Sequence, residues 1–503
     1  MDIKSAKNTI KNTTQAYLKK DEFGQYIIPR ERQRPIFLLG APGIGKTAIM
    51  EQISHELGIG LVAYSITHHT RQSALGLPFI VDRNYGGVDT KITEYTMSEI
   101  IAAVHTEIEK NNFTNGILFI DEINCASETL APTMLQFLQN KTFGTHRVPE
   151  GWIIVGAGNP PEYNKSVKEF DIVTMDRIKK IDVEPDQKIW KEYAYLKQMH
   201  NAIITFVDVF PKNFYFAETD VEGLKIVTPR GWEDLSYIIK MYEGLNIDVD
   251  KELVLQYIQN PKVSVDFLNY YNLFVKYRKQ YDIKKILSGT YNVSEYSTLS
   301  RMRVDEKMAL EGMLIEHLSG MFVNYVNQRG TIQRLFEILK KYKREILTTA
   351  FPLQKFNDVF FDTSTNNLKD QSTKVEREER QEILGVIKNL NEFRSLLTKE
   401  QPPSATEAFK IVKDLFDKQV AELNQSGKEL NISLTHVFEF IVGVFGEASE
   451  LIVLITELTI NPYSVKFLTE NRNEAYFKYN KNILIGEKSA EILSDIHALN
   501  MNL

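Results

Sequence analysis

The chain has 503 residues, a formal net charge of -6, 43% hydrophobic residues and 25% charged residues. That length points to about two to four globular domains, and the bulk charge calls for neither a nucleic-acid nor an anionic-membrane partner. The single cysteine, Cys125, excludes an internal disulfide and fits a reducing compartment.

The polar start, MDIKSAKNTIKNTTQ, lacks the apolar core of a signal peptide. Residues 3–20 read as a basic helix with a thin stripe of Ile3, Ile10, Tyr17 and Leu18. Residues 35–39 form a short apolar run that ends in glycine, which predicts a buried strand, and a helix follows over 46–57. Further buried strands are expected at 61–66, 117–120 and 152–156, with a weaker one at 181–183. Helical stretches such as 97–110 and 127–139 separate the earlier ones. This alternation predicts an α/β fold with a parallel five-stranded sheet flanked by helices.

After Pro185 the pattern turns helical. The expected organisation is an α/β domain over 1–185, an all-α lid over 186–280 and a helical region over 281–361. A polar linker over 362–374 and an all-α C-terminal domain over 375–503 complete it. Two amphipathic helices are expected between 305 and 350. Ser404 and Glu407 form a capping-box pattern after Pro402 and Pro403. The most apolar stretch, 436–460, carries Glu439, Glu447, Glu450 and Glu457 and reads as buried helix, not as a membrane span. A cytoplasmic protein is the expectation.

Gly40, Ala41, Pro42, Gly43, Ile44, Gly45, Lys46 and Thr47 fit G-x-x-x-x-G-K-[ST], and Ala48 continues the helix. Glycines at these positions let backbone amides converge on phosphates at the positive end of the helix. Lys46 would reach the β- and γ-phosphates of ATP, and the Thr47 hydroxyl would ligate Mg2+. Asp121 ends a buried strand expected next to the phosphate loop in the sheet. It is the candidate for the magnesium shell, and Glu122 for activating a water. Asn159 falls at the end of another strand, where an amide positions water or senses phosphate; Asn before Pro is also an ordinary turn starter. Arg177 reads either as an arginine reaching a neighbour's γ-phosphate or as a surface partner of Asp176. Arg230 opens a helix and is a second candidate arginine; its plain reading is a helix-start residue packed beside Trp232.

Taken together, GAPGIGKT (40–47), ILFIDEINCA (117–126), VGAGNP (155–160), MDRI (175–178) and TPRGWEDLS (228–236) resemble the AAA+ ATPases, most closely the MoxR-like branch. The resemblance covers about residues 1–280. The run from Thr70 to Pro78 is similar to the segment that opens the helix-2 insertion of that branch. The resemblance implies sensor 1 at Asn159, an arginine finger acting in trans at Arg177 and sensor 2 at Arg230. Asn124 matches the family pattern without a role. It further implies a homo-oligomeric ring, usually a hexamer, that remodels or activates a protein partner, often one with a von Willebrand factor A domain. Pore-facing elements would be the insertion at about 67–96 and the hairpin at about 140–150, with Lys141, His146 and Arg147. That hairpin is shorter than the family's, and residues 281–503 resemble nothing placed.

His68, His69 and Arg71 read as a surface loop rather than a zinc site. The mixed charges of 374–380 read as a solvated helix face. Asn164–Val167 lacks the aspartate of a guanine-reading motif. Two alternatives remain. One is a nucleic-acid-stimulated motor using Lys141, Arg147 and the N-terminal lysines. The other is a scaffold in which ATP joins subunits without hydrolysis.

Overall fold

The computed structural model describes residues 1–68, 70–143, 146–163, 167, 170–220, 223–292, 299–301, 303–373, 375 and 377–481. The chain divides into two compact units. One comprises Met1–Trp190 with Phe210–Ser264; the other comprises Lys191–Val209 and the described residues from Val265 onward.

The first unit is built on a five-stranded sheet in the order Gly60–Ser65, Gly116–Asp121, Trp152–Gly158, Ile36–Gly40, Lys179–Val183. All four pairings are parallel. Both faces are covered, which is why the inner strands are near-continuous apolar runs, while the edge strand Lys179–Val183 buries only Ile181 and Val183. Alternate residues feed two layers. Ile36, Leu38, Phe119 and Val155 pack with Ile49 and Ile53 and with the N-terminal helix Ile3–Leu18. Phe37, Leu118, Ile120 and Ile154 pack on the other face with Met134 and Phe137. The N-terminal helix buries Ala6 and Ile10 and turns Lys7 and Lys11 onto Glu56. The register pairs Leu39 with Gly158 and Ser65 with Asp121, so the functional strand ends lie along one edge.

Two expectations for this unit need correction. The strand carrying Asp121 is not the neighbour of the strand that enters the phosphate loop, because Trp152–Gly158 lies between them. The stretch expected as an all-α lid contains an antiparallel hairpin, Phe216–Asp220 with Gly223–Val227. Each arm has five residues, too short for a period-two pattern to stand out between helices. A second hairpin, Pro78–Tyr85 with Val88–Tyr95, occupies the insertion.

In the second unit one helix of 43 residues, Val304–Ile346, replaces the two expected. Its interior glycine at 330 marks a close approach, not a break. A Cβ there would come 2.3 Å from the carboxyl of Glu382, on the helix Arg377–Glu400. The predicted linker over 362–374 is also overturned, since helix Leu353–Ser372 runs through it. Phe360, Phe361 and Thr365 are buried along its inner stripe, and Arg394 binds Asp358 and Asp362. Polar composition there reflects a solvated face completed by buried hydroxyls. Ser404 does cap the helix Ala405–Phe445, accepting from the amide of Glu407 at 3.2 Å. The apolar stretch 436–460 bends at Gly446 into helix Ser449–Ile460. There buried Lys191 is bound by Glu457 and, at 2.7 Å, by Asp208. Among the described residues no single helix is long and apolar enough to cross a membrane.

Candidate active site

The strand Ile36–Gly40 delivers the chain into the phosphate loop, and helix Lys46–Leu57 leaves it. Two glycines make this turn possible. Gly45 caps the helix at φ 93°, and Gly43 sits at φ 77°, where an added Cβ would come 2.8 Å from Thr228. Ala41 and Ile44 anchor the loop in the apolar layer beneath it, with Pro42 and Ala48 half-buried alongside.

Lys46 is the centre of the network. Its ammonium is buried and donates to the carbonyls of Gly40 and Ala41, each at 2.8 Å, and to Asn159 Oδ1 at 2.9 Å. Burial pushes its pKa down to about 8; the Asp121 carboxylate opposes that shift and the Arg230 guanidinium adds to it. Thr47 donates its hydroxyl to Asp121 Oδ2 at 3.1 Å. This hydroxyl–carboxylate pair is the hard-oxygen donor set that suits Mg2+. Among the described residues no cluster of three or more His, Cys, Asp or Glu side chains is arranged to hold a metal on its own.

Glu122 follows in the left-handed region at φ 55°, and its amide donates to Asp121 Oδ1 at 2.9 Å. Its carboxylate accepts from the Thr67 hydroxyl at 3.1 Å and the Ser65 hydroxyl at 3.5 Å. Neither hydroxyl was singled out from sequence. Ser65 ends the strand paired in register with the Asp121 strand and Thr67 lies in the turn that follows it, and that pairing is the signal that identifies them.

Asn124, which had no role by sequence, is buried and donates from Nδ2 to the backbone carbonyl of Asn159 at 2.8 Å. Thr228 is a second such residue. It caps helix Pro229–Leu245, accepting from Gly231 at 3.1 Å, and rests against Gly43. That contact brings Arg230, on the first turn, within electrostatic reach of Lys46.

Arg177 is not part of this network. It is exposed at the end of helix Ile172–Arg177 and donates to Gln139 Oε1 at 2.6 Å. Among the predicted pore-facing residues, Lys141 is turned inward and buried. Its ammonium donates to the Arg30 carbonyl at 2.6 Å, and the Arg30 guanidinium returns a bond to the Lys141 carbonyl at 2.8 Å. His146 Nε2 lies 3.1 Å from the Tyr95 carbonyl, at the end of the insertion hairpin, and Arg147 is exposed. Residues 69, 144, 145 and 164–166 lie outside the described residues, and with them part of the predicted surface loop, hairpin and Asn164 motif.

No curated protein matches the chain. Residues 35–178 match the family described as an AAA domain of the dynein-related subfamily. The matched segment holds four of the five sheet strands, the phosphate loop and the acidic strand end and stops just before the fifth strand, Lys179–Val183, and the match supports an ATPase of the AAA+ class.

Proposed function

We propose that this chain binds and hydrolyses Mg-ATP, works as a homo-oligomeric ring of the MoxR-like kind, and uses the cycle to remodel or activate a protein partner. The observation that carries the reading is the hydrogen-bonded convergence of Lys46, Asn159, Thr47 and Asp121 on one edge of the sheet. Lys46 and the loop amides bind the phosphates, and Thr47 and Asp121 hold Mg2+, which supplies charge neutralisation on the phosphate oxygens. Glu122 takes a proton from the attacking water. The water oxygen bonds to the γ-phosphorus as its bond to the ADP oxygen breaks, releasing ADP and phosphate. Asn159 orients Lys46 and senses the γ-phosphate, and Arg230 adds positive charge.

Arg177 acts on a neighbour's site. The support is its place outside its own subunit's network, on a short exposed helix whose first residue, Ile172, is 87% exposed. A hexamer and a partner with a von Willebrand factor A domain belong to the same reading by family resemblance. The nucleic-acid motor is less favoured, because Lys141 is buried and Lys7 and Lys11 are paired with Glu56.

The test is ATP hydrolysis per subunit against protein concentration, for wild type and Arg177→Ala. Specific activity that rises with concentration, and a mutant that binds ATP without turning it over, are expected. Activity flat with concentration and indifferent to Arg177 sinks the shared-site reading.

A further inference from the structure

The turn between helices Val304–Ile346 and Leu353–Ser372 belongs to the second unit and carries none of the nucleotide-site residues. It closes a groove of about 460 Å³ whose walls include Lys341, Phe351, Lys355 and Val359. The floor is fixed. Tyr342 is fully buried, stacks on Phe356 and donates its hydroxyl to Asn357 at 2.8 Å. Phe360 packs against the same ring with centroids 5.1 Å apart. The rim is open: Phe351 is 63% exposed, Val359 57%, and adjoining Leu347 58%. A rigid apolar floor with an uncovered apolar rim is the anatomy of a binding surface.

The charge around it is net positive. Lys340, Lys341, Lys343 and Arg344 lead into the turn, and Lys355 leaves it, standing 5.8 Å over the Phe351 ring. Glu337 binds Lys340 at 3.0 Å, and the groove's own carboxylate, Glu345, lies 3.9 Å from Lys341. Asp358 and Asp362 are taken up by Arg394. The cations therefore exceed the acids at this turn, on a chain whose net charge is -6. Thr363, Ser364 and Asn367, from the stretch that reads as a linker in sequence, supply hydrogen-bonding groups on the remaining wall.

We propose that this groove docks an acidic amphipathic segment of a protein partner, its apolar side chains against Phe351 and Val359 and its carboxylates toward Lys341 and Lys355. Phe351 is the exposed ring on this rim, and Val359 and Leu347 beside it are aliphatic, which favours a peptide over a nucleic-acid strand that needs successive stacking rings.

The experiment uses the full chain and a fluorescein-labelled synthetic peptide of about four helical turns, with leucines at helical spacing and glutamates elsewhere. Fluorescence anisotropy is expected to show saturable binding. Either double variant, Phe351→Ser with Val359→Ser or Lys341→Glu with Lys355→Glu, is expected to weaken it by about tenfold or more. Lys466→Glu is expected to leave it unchanged, and the same peptide with lysines for glutamates is expected not to bind. Circular dichroism and melting of each variant separate lost docking from lost folding, and the charge pair tests the site if the apolar pair fails to fold. No saturable binding overturns the proposal. So does affinity indifferent to both double variants, or displacement of the peptide by an oligothymidylate. ATP turnover without peptide is read separately in the same variants and is expected to match wild type. A chain that binds the peptide but never hydrolyses ATP would overturn the ATPase reading alone.

Discussion

The Lys46 ammonium donates to Asn159 Oδ1 at 2.9 Å, so the phosphate-loop lysine and the asparagine of the central strand are one hydrogen-bonded unit. Its carbonyl partners are neutral, and burial outweighs the favourable charge of Asp121, which is why its pKa falls to about 8.

A pH dependence of nucleotide affinity follows. Triphosphate favours charged Lys46, so affinity is expected to be full below about pH 8 and to fall as pH rises through that value, by up to about tenfold per unit. The stability term has the opposite slope. The folded pKa lies below the unfolded 10.5, so the unfolded chain binds more protons between about 8 and 10.5, and the free protein gains stability across that window. Titration of a fluorescent ATP analogue at stepped pH checks the first sign. Wild-type affinity that stays flat, or a Lys46→Ala variant that keeps the same slope, refutes the assignment.

Glu122→Gln tests the water-activating role. The amide keeps the size of the side chain and an oxygen for the Thr67 hydroxyl, which lies 3.1 Å from the carboxylate, but it loses the base. Turnover is expected to drop by about 10²–10⁴-fold with ATP affinity within a few-fold of wild type. Single-turnover hydrolysis alongside equilibrium binding distinguishes the two. Normal turnover removes Glu122 from the mechanism.

The legibility of this chain followed the strength of local patterns. The strand-to-loop-to-helix passage at 36–57 was readable because two-sided burial makes the strand wholly apolar and because Gly43 and Gly45 adopt backbone angles that select glycine. Asp121 was readable as a strand end. Its separation from the loop strand by Trp152–Gly158 was not, because strand order is decided by crossovers and not by any residue. Thr67 and Thr228 were invisible as site residues, and Asn124 stood in the family pattern without a role, since each is an ordinary polar residue that gains its role by what the fold places beside it. In the second unit, long helices buried Thr365 and Ser372 where an apolar stripe was sought, so a helix read as a linker.

Arg177 donates to Gln139 of the same chain, and the role in trans proposed for it is open to a direct complementation test. Lys46→Ala removes nucleotide binding from its own site and keeps Arg177, whereas Arg177→Ala does the converse. Each variant alone is expected to be inactive. An equimolar mixture is expected to recover up to about a quarter of wild-type turnover, the fraction of interfaces that pair an intact loop with an intact arginine. A mixture as inactive as its components rules out the shared site.

The last relation to test runs through Gly158. A Cβ at this position would stand 2.3 Å from Asn124 Oδ1, and Asn124 is the side chain whose Nδ2 holds the Asn159 carbonyl at 2.8 Å. Gly158→Ala must therefore displace Asn124 and free the strand end that presents Asn159 to Lys46. A loss of about 1–3 kcal/mol is expected from the overpacking, read as a lowered melting midpoint, together with a fall in turnover larger than the fall in ATP affinity. Adding Asn124→Ala removes the clash but not the lost tether. The double variant is expected to regain stability relative to Gly158→Ala while its turnover stays low, a non-additivity confined to residues in contact. If turnover recovers along with stability, Asn124 is only a packing residue, and the positioning of Asn159 rests on the strand and its bond to Lys46.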